Sequence, residues 1–98
     1  MTIDRGLLAI LEARNGKGDE LAEFLQRARE LAASEEGTVT WYAFKLSETR
    51  YGIFDTFADE AARQAHVGGP IPVALGEIGT AVLASEPDIR PVEVVAVK

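Results

Sequence analysis

His66 is the only histidine of a 98-residue chain that contains no cysteine. Imidazole is the side chain most easily used as a general base near neutral pH. The position, just before Val67-Gly68-Gly69-Pro70, also suits a role in capping a helix and closing a loop. Upstream, Asp55 follows the apolar pair Ile53-Phe54. In a strand it shares parity with Tyr51, Ile53 and Phe57, so these side chains line one face. A carboxylate among such neighbours needs a partner. It could orient His66, bind a backbone amide in a neighbouring loop, or be purely structural. Trp41 and Tyr42 are adjacent in another strand and must face opposite sides. Aromatic side chains suit a flat phenolic ligand, because rings stack and the indole N–H or phenol O–H fixes orientation. At strand spacing they equally suit core packing. His66 and Asp55 are thus the candidate catalytic pair, and Trp41, Tyr42, Tyr51 and Phe57 the candidate substrate contacts.

Other chemistries lack their residues. Without cysteine there are no disulfides, thiolate metal sites or cysteine nucleophiles. A lone histidine is poor material for a zinc or iron site, so no metal is expected. No GxSxG occurs, and Gly16-Lys17-Gly18 lacks the spacing of a phosphate loop. Sixteen acidic against ten basic residues give a net charge of −6. The lysines are only Lys17, Lys45 and Lys98. Nucleic acid requires a basic stripe to displace counterions, so it is not an expected partner, and neither is an anionic membrane. No apolar run reaches the ~20 residues of a membrane span. The first residues do not read as a signal peptide, and a cytoplasmic location is the default expectation.

The elements that position these residues follow from periodicity. Gly6–Arg14 reads as a strand with apolar residues on both parities, as when both faces are buried. Residues 15–18 form a turn. Asp19–Glu36 reads as a helix with Leu21, Phe24, Leu25, Ala28, Leu31 and Ala32 on one stripe. Gly37 is placed to end it as a left-handed cap. Thr38–Leu46 and Tyr51–Phe57 read as an antiparallel hairpin. Asp59 looks like the N-cap of a short helix reaching His66, with Arg63 spaced to pair with Asp59. Ile71–Ala84 is a further helix, with Pro70 and Pro72 tolerable only in its first turn. Val92–Val97 is the last strand.

This order is ferredoxin-like βαββαβ, an α+β fold in which helices cover one face of an antiparallel sheet. Residues 1–98 are expected to be one domain. Leu7, Leu8, Ile10 and Leu11 on the first strand, with Val92, Val94, Val95 and Val97 on the last, leave apolar groups for the uncovered face too. Soluble monomers avoid such a patch, so a twofold homodimer is expected.

Two segments carry a resemblance. Gly37-Thr38-Val39-Thr40-Trp41-Tyr42-Ala43-Phe44 is followed by Tyr51-Gly52-Ile53-Phe54-Asp55-Thr56-Phe57 and a short helix ending in His66. With the closing residues 92–98, these resemble the antibiotic biosynthesis monooxygenase domain family, and the match covers essentially the whole chain. The resemblance implies a dimeric α/β barrel. It implies oxygenation of phenolic, anthrone-like or quinol substrates without metal, flavin or haem, hence no cofactor. His66 matches the family's histidine. Asp55 stands where the family usually has Glu. Haem-degrading relatives ligate haem from a histidine in the helix after the loop, and Ile71–Ala84 contains none. Two functions follow: a cofactor-free oxygenase of a small electron-rich aromatic, or a non-catalytic small-molecule binding or stress-associated module on the same scaffold.

Overall fold

The computed structural model describes residues 3–98. Strand β1 (Arg5–Glu12), helix α1 (Gly18–Ala33), strands β2 (Thr38–Lys45) and β3 (Arg50–Phe57), helices α2 (Glu60–Val67) and α3 (Pro70–Val82), and strand β4 (Asp88–Glu93) follow in order. The four strands form one antiparallel sheet in the order β2-β3-β1-β4. This is the ferredoxin-like α+β arrangement expected from the sequence.

Strand parity explains the layers. Leu7, Ala9 and Leu11 of β1 lie opposite Asp55, Ile53 and Tyr51 of β3. These six are all buried, as are Leu21, Leu25 and Ala28 of α1 and Ile71 and Leu75 of α3. The helices cover this face. The other parity carries Leu8 and Ile10 of β1, Phe54 of β3, Tyr42 and Phe44 of β2 and Val92 of β4, none of them fully buried. Tyr42 keeps 61% of its surface.

Three local expectations are corrected. The last strand is Asp88–Glu93, not Val92–Val97. In sequence Pro87 and Pro91 read as bracketing a turn. As an edge strand β4 tolerates proline, and Pro91 pairs with Leu7. The chain then leaves the sheet, and Val95 stays 94% exposed. Helix α1 ends at Ala33 with Ser34 as its cap. Gly37 has no positive φ; the glycines that do are Gly16 and Gly79. A Cβ on Gly37 would instead stand 2.3 Å from the Ala62 Cβ of α2. Glycine here permits close approach, not a left-handed cap. Arg63 does not pair with Asp59. It grips Glu60 through Nη2–Oε1 at 2.5 Å and Nε–Oε2 at 3.1 Å. Asp59 is occupied as the N-cap of α2, accepting from the Ala62 N–H at 2.8 Å.

Candidate functional site

Helix α2 runs from the Asp59 cap to Val67, and its last turn carries His66 toward the covered face of the sheet. The ring is buried and lies 5.1 Å from the Phe57 ring, centroid to centroid. Its two nitrogens meet two carboxylates. Nε2 lies 3.0 Å from Asp55 Oδ2, an ion-pair distance, and Nδ1 lies 2.6 Å from Glu35 Oε1. Asp55 reaches the ring because β3 places its odd-numbered residues under the helices. Glu35 comes from the turn between α1 and β2. Gly37 brings this turn against α2, and Thr38 Oγ1 donates to Glu35 Oε1 at 2.8 Å.

A neutral imidazole has one donor and one acceptor nitrogen. Placed here, its lone pair would point at a carboxylate, whereas an imidazolium satisfies both. Burial disfavours the cation, but Asp55 and then Glu35 outweigh it through hydrogen bonding and charge, and the His66 pKa is raised. His66 therefore has no free nitrogen with which to take a proton from a ligand.

The free acceptor is on Asp55. This residue is 2% exposed, and its Oδ1 is buried without a hydrogen-bond partner. An unpaired carboxylate oxygen in an apolar setting costs free energy unless something donates to it. Asp55 and His66 border a cavity of about 60 Å³ whose other walls include Leu7, Ala9, Ile53, Ile71, Leu75 and Ile89. That is less than half the roughly 150 Å³ of an engineered cavity that holds benzene. It admits a hydroxyl, a dioxygen molecule or a water or two. Pro72, Leu75 and Ile89 also wall a groove of about 560 Å³ between α3 and β4. A groove of that size suits a small organic molecule. It runs past Gly79, where α3 kinks at φ 36°, a conformation that favours glycine.

The expected site residues fall into two groups. His66 and Asp55 come together at the cavity. Phe57 is fully buried and packs on the His66 ring, so it backs the imidazole from outside the cavity walls. Trp41, Tyr42 and Tyr51 instead border a separate groove between α1 and β2. Trp41 packs against the core under α1, with its indole Nε1 buried and unpartnered, and Tyr42 points to the uncovered face. Glu35 escaped the sequence reading because it was assigned to the helix end. The available signal was the acidic pair Glu35-Glu36 next to a glycine that permits close packing.

No family model matches the sequence, and no curated protein does. Among solved structures, the chain is 44% identical to NE2512, a protein of unknown function from Nitrosomonas europaea, covering 98% of this chain and 93% of that one with a TM-score of 0.95. A Caulobacter crescentus protein described as a "putative antibiotic biosynthesis monooxygenase" is 23% identical, with coverages of 96% and 92% and a TM-score of 0.79. A Nitrosomonas europaea protein of the same description is 10% identical, with coverages of 97% and 93% and a TM-score of 0.83. These last two likenesses are of fold.

Proposed function

Because the chain belongs to the same family as NE2512 and has the fold of the antibiotic biosynthesis monooxygenases, we propose that it is a cofactor-independent monooxygenase. Its substrate is a small electron-rich aromatic, a quinol or polyphenol. The observation that carries this reading is the unpartnered Oδ1 of Asp55, a residue that borders an apolar cavity. The aromatic ring lies in the groove between α3 and β4, and one hydroxyl passes Leu75 and Ile89 to donate to Oδ1. Asp55 takes the phenolic proton, and His66 holds its other oxygen in place. The phenolate is electron-rich enough to reduce dioxygen, which adds at a ring carbon bearing hydrogen. Loss of that hydrogen as a proton and cleavage of the O–O bond leave one oxygen on the ring as a carbonyl. The other departs as water, taking up both that ring proton and the phenolic proton Asp55 had stored. A naphthol plus dioxygen gives a naphthoquinone plus water, with all four electrons supplied by the substrate. The apolar walls exclude water from the reactive intermediate.

The functional unit is a homodimer paired through the uncovered sheet face, and its place is the cytoplasm. The small cavity also favours a second reading, a binding module without turnover. The two separate when naphthols, naphthoquinols and catechols are screened for both oxygen consumption and thermal shift. Oxygen uptake above the autoxidation rate supports the oxygenase. Thermal shifts without uptake support the binding module.

A further inference from the structure

Glu35 is the one member of the buried cluster that cannot touch a ligand in the cavity. It approaches His66 from the far side of the ring, at Nδ1, while Asp55 stands at Nε2. It is not a loose surface carboxylate. Its side chain keeps 17% of its surface, and Oε1 receives both the imidazole Nδ1–H and the Thr38 hydroxyl. The Gly37 contact with Ala62 and the nearness of Gly69 to Oε2 hold it there.

We propose that Glu35 is a positioning residue that makes Asp55 a competent proton acceptor, by balancing the imidazolium charge from the side away from the cavity. This deepens the proposed oxygenase reading and rests on its assignment of Asp55. The argument is one of charge in a buried site. Two carboxylates and one imidazolium sum to −1. When Asp55 takes a proton the cluster becomes neutral, which burial favours. Without the charge of Glu35, the resting pair would be neutral and protonation of Asp55 would leave an uncompensated cation, which burial opposes. The remaining charges on the surrounding elements are engaged elsewhere or exposed. Arg63 and Arg5 both bind Glu60, and Glu77 of α3 and Glu36 of the turn are exposed. Asp55 and Glu35 are the charges that act on His66.

The test uses the fact that His66 is the only histidine, so its imidazole resonances are unambiguous in an NMR titration of the intact protein. Glu35→Gln keeps an oxygen to accept from Nδ1–H and removes the charge. The expected result is a His66 midpoint lowered by about one to three pH units, the usual effect of an opposite charge at this range. The acid limb of the rate profile is expected to move to lower pH, with a lower plateau. Thr38→Val removes the hydroxyl that shares Oε1 and is expected to move the midpoint the other way. It serves as the second test should Glu35→Gln not fold. An unmoved midpoint in Glu35→Gln, or in Thr38→Val if that is the folded variant, overturns the role of Glu35. If instead the midpoint moves but the unaltered protein consumes no oxygen, the oxygenase reading fails, and with it the role of Glu35 in catalysis.

Discussion

His66 contributes to stability in a manner that depends on pH, and the sign follows from its surroundings. Its folded pKa lies above the ordinary value of 6.5. Its contribution is therefore complete below the unfolded pKa, about 6.5, and is lost as pH rises through the raised folded value. The midpoint of urea unfolding is expected to fall across that alkaline range, and to fall less in His66→Gln. Glu60 acts in the opposite direction. Hydrogen bonds from Arg63 and then Gln64 lower its pKa to about 2, so what it contributes is lost only as pH drops from the ordinary carboxylate range toward that value. At this scale Asp55 and His66 were legible in the sequence. Strand parity grouped the acid with Tyr51, Ile53 and Phe57 on one face, and the loop break put the histidine at a helix end; which face the helices cover came only with the fold. Glu35 was not legible. Nothing in Glu35-Glu36-Gly37 says which carboxylate turns inward until α2 is packed against the turn.

Elements bring these side chains together through two close approaches. The first is Gly37 against Ala62. Gly37→Ala is expected to cost about 1–3 kcal/mol, the range for overpacking, read from denaturant unfolding. It is also expected to broaden or shift the His66 imidazole signals, because the turn must withdraw Glu35. The second is the passage between α3 and β4, where Ile89 stands on the rim of both the cavity and the groove. Ile89→Trp is expected to raise the KM for aromatic substrates about tenfold or more, since one bulky wall readily changes pocket affinity by about 1–3 kcal/mol. Little stability should be lost, because Ile89 is half exposed. Periodicity found all three helices, including the Asp59 cap and the proline start of α3. It misplaced β4, because proline reads as a break in sequence yet is harmless at a sheet edge. It also missed the kink at Gly79, since Gly76 and Gly79 look like ordinary weak points in a helix.

At the scale of the whole molecule, the sheet has one covered face and one bare one. Leu8, Ile10, Tyr42, Phe44 and Phe54 share the bare face, and the exposed Val95 and Val97 extend beyond β4. A second copy would supply matching apolar surface for this face, which is why a twofold dimer is proposed. Sedimentation should give a dimer at micromolar concentration, and Phe54→Lys should shift it to monomer. A monomer for the unaltered protein would remove the proposal. The four-stranded, one-sided architecture was legible from strand order and double parity. The separation of Trp41, Tyr42 and Tyr51 from the Asp55 cavity was not, because parity says which face a side chain takes and not which helix lies over it.

The most direct measurement is label transfer from dioxygen carrying heavy oxygen into naphthol, followed by mass spectrometry of the naphthoquinone, with the protein and with Asp55→Asn compared. Asp55→Asn keeps the shape and removes the free acceptor, and its fold can be checked by the His66 signals. The expected result is one labelled oxygen per quinone, formed without added flavin or metal, and a rate about a hundredfold or more lower in Asp55→Asn, the usual contribution of a general base. Equal labelled product from both proteins would show that the carboxylate in the cavity does not carry the reaction.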